Sequence, residues 1–188
     1  MTQTNQPEKN ALAAVSATQS GGATDNRQYL TFSVGGEVFA IGILNIKEII
    51  EYGNLTEIPM MPGFIRGVIN LRGAVVPVID LSVRFGRQQT RIARRTSIVI
   101  IEVDSENGKQ DIGIVVDAVH EVLEIMAGDT EPAPAFGAKI RTDFIQGMGK
   151  VGGKFVIILN IDRVLSVEEM AMLGEVGANS TSIQSDRY

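Results

Sequence analysis

Phe64-Ile-Arg-Gly-Val-Ile-Asn-Leu-Arg-Gly-Ala-Val-Val-Pro-Val-Ile-Asp-Leu81 has a counterpart later in the chain, Phe144-Ile-Gln-Gly-Met-Gly-Lys-Val-Gly-Gly-Lys-Phe-Val-Ile-Ile-Leu-Asn-Ile161. The two align without a gap. Five positions are identical, among them Gly67/Gly147 and Gly73/Gly153, and most others exchange one apolar residue for another. Each copy is a short Val- and Ile-rich run, a glycine-bearing break and a second run, which is the pattern of a β-hairpin. A second pair, Ile46-Lys-Glu-Ile-Ile-Glu51 and Val119-His-Glu-Val-Leu-Glu124, occurs in the same order ahead of each copy. The folded body is therefore a duplicated β unit. Two copies are too few for a solenoid, and two small barrels packed together fit better.

Working outward, Tyr29–Val34 and Glu37–Ile41 flank Gly35-Gly36, and Ser97–Val103 and Gln110–Val116 flank Glu106-Asn107-Gly108. Both read as further hairpins. Pro77 cannot donate to a ladder, which puts it at a bulge or an edge. One helix is well marked: Ser166-Val167-Glu168-Glu169 is a capping box, and Gly174 stands where a helix would stop. Residues 1–27 and 174–188 are Gln-, Asn-, Ser-, Thr- and Gly-rich and read as disordered tails. Between them lie lobe one at about 28–90, lobe two at about 95–165 and the helix at 166–173. Exchange of strands between the lobes is left open.

Composition excludes most chemistry. The chain has 188 residues, a net charge of −5, no Cys and one His. Without Cys there is no thiolate nucleophile, disulfide or usual structural zinc site, and one His makes no His–His metal pair. No uncharged apolar run approaches the roughly 18–20 residues of a membrane span. Gly147-Met-Gly-Lys-Val-Gly152 matches G-x-G-x-x-G, but the β run Phe155–Leu159 follows where a dinucleotide fold needs a helix. These glycines read as hairpin glycines. Arg84 to Arg95 carries five Arg, yet the rest of the body holds nine Lys and Arg against eighteen Asp and Glu, which would repel a nucleic-acid backbone. That stretch reads as a solvated loop between lobes. Arg72 on a hairpin tip is a side chain that packing does not require, while Phe136, beside Pro132-Ala-Pro134, reads either as a cap on the second lobe's core or as an exposed anchor. The chain reads as a protein that acts by contact, with no catalytic residue, cofactor or metal.

Phe64-Ile-Arg-Gly-Val-Ile-Asn-Leu-Arg-Gly73, Val76–Leu81, Ile112–Asp117, Pro132-Ala-Pro134 and Ile161–Leu173, in that order, resemble the signature of the CheW family of bacterial chemotaxis coupling proteins. The resemblance covers 28–173. It implies a mainly β fold of two five-stranded SH3-like barrels on a shared hydrophobic interface, with short helices including one at the C-terminus. It implies a non-enzymatic cytoplasmic adaptor, recruited to membrane-associated receptor arrays, that joins the regulatory domain of the histidine kinase CheA to the cytoplasmic tip of chemoreceptors. A chemotaxis-like array with a non-motility output is the alternative. By position, Glu48 and Arg72 match residues of receptor coupling and form an expected ion pair, while Val119, Val122 and Gly147 match groove or support positions for the receptor. Ile46 and Gly67 match first-lobe positions for the kinase, and Phe136 an aromatic at a second-lobe ring contact. Glu131 departs from relatives that carry a basic side chain before the proline.

Overall fold

The computed structural model describes residues 26–135 and 140–172. Phe136 and the segments 1–25 and 173–188, with Gly174, lie outside the described residues. All four hairpins read from the sequence form: β1 (Asn26–Val34) with β2 (Glu37–Gly42), β4 (Ile65–Leu71) with β5 (Ala74–Asp80), β6 (Ser97–Ser105) with β7 (Gly108–Val116), and β10 (Ile145–Val151) with β11 (Lys154–Leu159). The two repeated acidic blocks become β3 (Ile46–Glu51) and β8 (Ala118–Met126), and a two-residue β9 (Thr130–Glu131) precedes β10. Gly152 and Gly153 turn at φ 55° and 78°, the left-handed pair that a two-residue hairpin loop requires. Gly147 and Gly149 lie inside β10 instead, so they are not turn residues.

Neither sheet is built from one half of the chain. One runs β8-β1-β2-β11-β10-β9 and the other β3-β6-β7-β5-β4. The division at 90/95 therefore describes the repeat but not the sheets, because β1–β2 joins the second-half strands and β6–β7 joins the first-half strands. The exchanging contacts are parallel: Ile157 opposite Phe39, and Val78 opposite Gly113. A tight turn fixes an antiparallel partner locally, whereas a parallel neighbour is chosen by packing. One sheet has six strands rather than five because β9 pairs with β10 at Met148 and Gly149, where the other sheet has only an isolated bridge between Thr56 and Val68.

Central strands are buried on both faces. In β6, Val99, Ile101 and Val103 enter a core shared by the two sheets, while Ile98 and Ile100 fill the interior of their own sheet. In β2, Phe39 and Ile41 likewise face the shared core and Ala40 faces Tyr29, Ile125 and Ile158. A chain of rings, Phe32–Phe39–Phe85–Phe144, crosses the shared core with centroids 6.3, 5.2 and 6.2 Å apart. Each such side chain contributes roughly 1.5–3 kcal/mol by leaving water, so these rings fasten one sheet to the other.

Single-turn helices α1 (Leu81–Arg84) and α2 (Ile161–Val164) end the two repeat copies. Asp80 and Asn160, equivalent in the repeat, cap them. Asp80 is fully buried and also accepts from Thr90 N and Thr90 Oγ1, both at 2.9 Å, with Arg66 Nε 3.3 Å away. Its carboxylate thereby pins the loop after α1 at Thr90. This loop corrects the sequence reading. Arg91, Arg94 and Arg95 are exposed, but Arg87 pairs with Glu37 at 2.5 Å and Arg84 is buried. The cap on Asp80 turns Arg84 inward, where its Nε donates to Val164 O at 2.8 Å and its guanidinium lies over Phe144.

Ser166 starts the expected helix, described over 167–172, and its Oγ accepts from Glu169 N at 3.3 Å. The reciprocal half of the box is spent elsewhere, since the Glu169 carboxylate turns to Arg141 and Arg84.

Candidate partner-binding site

Arg72 and its neighbour Gly73 form the tip of the β4–β5 hairpin at φ 51° and 89°. A left-handed backbone suits Gly73 but strains an arginine, by about 1 kcal/mol. Asn70 Oδ1 accepts from Gly73 N at 2.8 Å and holds the turn. The strained side chain stays 81% exposed, and its Nη2 donates to Glu48 Oε2 at 2.8 Å. Glu48, on β3 at the opposite edge of the same sheet, is 24% exposed, and its second oxygen, Oε1, is buried without a hydrogen-bond partner. A register shift between Ile46 and Glu48 against β6 sets where Glu48 stands. The expected ion pair is thus present, and it brings together the two outer strands of the five-stranded sheet.

The other residues singled out do not join this pair. Ile46 and Val119 are partly buried against the shared core. Val122, on the outer strand β8 of the other sheet, is 51% exposed. Gly67 and Gly147 occupy equivalent buried bulges, each just past a register shift in its hairpin. A Cβ on Gly67 would stand 2.3 Å from Thr56 O and 2.7 Å from Leu55 Cδ2, at a φ of 148° that L side chains rarely adopt. At Gly147 it would stand 2.7 Å from Thr130 Cγ2 and 3.1 Å from Glu131 O. Both glycines let a neighbouring segment cross close to the hairpin.

Sequence reasoning did not find an apolar groove of about 440 Å³ between the 167–172 helix and β4, β5 and β7. Met60, Met61, Ile65, Pro77, Ile112 and Met170 are among its lining residues. Met60-Met61-Pro62, two methionines in a loop before the first repeat, was the available signal, and Met60 is almost fully exposed. Elsewhere Lys47 and Lys109 both grip Glu102, at 2.9 and 2.6 Å, and hold its carboxyl down at about 2. No group of three or more His, Asp or Glu that could hold a metal occurs among the described residues, and no helix there is long and apolar enough to cross a membrane.

The CheW-like domain profile matches residues 28–169. The chain belongs to the CheW family. It is 38% identical over 165 residues to the chemotaxis protein CheW of Klebsiella aerogenes, which covers 88% of this chain and 96% of that one. It is 32% identical to the CheW of Rhizobium meliloti, covering 76% and 90%. Among solved structures, the scaffolding protein TtCheW from Thermoanaerobacter tengcongensis superposes with a TM-score of 0.67 at 35% identity, over 74% of this chain and 87% of that one. The two sheets are thus the SH3-like subdomains of the CheW fold. The chain is a chemotaxis coupling and scaffolding protein, and CheW-family adaptors are non-enzymatic.

Proposed function

We propose that this chain joins the cytoplasmic tip of chemoreceptors to the regulatory domain of the histidine kinase CheA, as a cytoplasmic component of receptor arrays. The observation that carries the reading is Arg72. An asparagine or glycine would relax its turn. Instead an arginine stands there in strained backbone, exposed, with Glu48 holding its guanidinium in place. Strain kept where packing does not need it points to contact. Val122, an exposed apolar residue on an outer strand, supports a second receptor contact, to which Val119 and Gly147 are assigned as well. Ile46 and Gly67 then serve the kinase through the shape of the first-lobe surface, since neither presents a protruding polar group. Phe136 supplies the second-lobe contact with the kinase.

The test is direct binding of receptor cytoplasmic fragments and of the kinase regulatory domain, measured separately on folded Glu48→Lys. Receptor binding should weaken sharply while kinase binding stays near wild type. Wild-type receptor affinity in that variant removes the ion pair from the site.

A further inference from the structure

The 167–172 helix supplies one wall of the apolar groove, through Val167, Met170 and Ala171. A helix in a folded protein owes most of its stability to the packing of its face, so whatever docks residues 167–172 decides whether the groove has that wall. Two apolar contacts contribute: Met170 is buried in the shared core and Val167 packs partly against it. Among the described residues a further anchor is ionic. Glu169 accepts a hydrogen bond from Arg141 Nη1 and lies 3.4 Å from Arg84 Nη2. Both guanidiniums sit over the Phe144 ring, at 4.7 Å for Arg84 and 4.5 Å for Arg141. Burial works against the Arg84 charge, Arg141 opposes it further, and Glu169 is the principal group that favours it.

We propose that Glu169 is an ionic latch: by pinning the 167–172 segment between Arg84 and Arg141, it fixes a movable wall of the apolar groove. The surroundings allow it to open. Arg141 has a second carboxylate in Asp143, reached by Nε at 3.0 Å and Nη2 at 2.5 Å, so it keeps a partner when Glu169 leaves. Arg84 keeps Val164 O and the Phe144 ring, and its Nη2, buried with no hydrogen-bond partner, becomes open to water. Glu169 is itself partly exposed. The usual capping-box bond would tie this carboxylate to its own helix; here it ties the helix to the body instead.

The experiment uses the full chain with Glu169→Gln and, separately, Arg141→Met, whose side chain is half exposed and a smaller risk to folding. Amide exchange and methionine-methyl NMR are read together. In Glu169→Gln, the Met170 amide, which donates to Ser166 O at 3.0 Å, should exchange at least tenfold faster. The Met170 methyl signal should also move toward its free-chain position, while amides of β6 and β7 keep wild-type protection. Arg141→Met should give the same local change to a smaller extent. Wild-type protection of Met170 in both variants would mean that Val167 and Met170 hold the wall without a latch. Equal loss of protection across the helix and both sheets would make Glu169 a general stabilising residue and would equally overturn the proposal.

Discussion

Arg72→Asn separates stability from contact. At φ 51° an arginine pays about 1 kcal/mol of backbone strain, and asparagine tolerates that region better. Asn-Gly is also the favoured pair for this two-residue turn. Against that relief stands the loss of the Arg72–Glu48 pair. With Arg72 81% exposed, the pair is worth no more than about 1 kcal/mol to the fold. The two effects nearly cancel, so the melting temperature should shift by no more than about 2–4 °C either way. Receptor binding has no such compensation. If the pair is desolvated in the complex, truncating one charge costs about 2–5 kcal/mol, roughly thirtyfold to several-thousandfold in Kd. The assay is calorimetric binding of a receptor cytoplasmic fragment, with thermal unfolding by circular dichroism on the same samples. A double-mutant cycle on Glu48→Lys and Arg72→Glu should add a coupling energy, with the double reversal recovering part of the lost affinity. Unchanged receptor affinity at unchanged stability would refute the argument from strain. A large drop in stability would show that Arg72 serves the fold.

Three further outcomes are expected. Gly67→Ala should destabilise the protein by more than about 2 kcal/mol, because its Cβ meets a backbone carbonyl that cannot swing away, and Gly147→Ala by less, since a threonine methyl stands nearest there; melting curves no different from wild type would contradict both. Glu102 should titrate at about 2, held down first by Lys109 and then by Lys47. Its contribution to stability is then present above the ordinary carboxylate range and lost as pH falls toward 2. Carboxyl-carbon NMR should show the midpoint rise in Lys109→Ala, and a wild-type midpoint near 4.5 would refute the reading. Phe136→Ala should weaken binding of the kinase regulatory domain by about 2 kcal/mol or more while melting stays unchanged; a loss of roughly 3–5 kcal/mol in stability would make it a core residue.

What the sequence made legible was local. Hairpin partners could be read because Gly35-Gly36, Arg72-Gly73 and Gly152-Gly153 each force a reversal within two residues. The duplication was equally plain, and it carries into bulges at Gly67 and Gly147 and caps at Asp80 and Asn160. The exchange of hairpins between sheets was not legible. Nothing in the alternation of β6 says which of its two buried faces meets which core, because both faces are apolar. Arg84 was misread for a related reason. In a run of five arginines its inward turn depends on a cap at Asp80 and on a ring from Phe144, sixty residues away. The Glu48–Arg72 pair was legible only through family resemblance, since two charges 24 residues apart carry no local signal. The groove needs the 167–172 helix docked against β4, β5 and β7, and periodicity does not encode that contact.

Co-sedimentation of three components tests the account most directly: receptor cytoplasmic fragments on vesicles, the kinase CheA, and this chain at stoichiometric amount. The kinase should pellet with the receptors and have its autophosphorylation stimulated when the wild-type chain is present, and Glu48→Lys should abolish both while still binding the kinase in solution. If the wild-type chain, folded and at saturating concentration, neither brings the kinase down with the receptors nor changes its activity, the coupling function is contradicted.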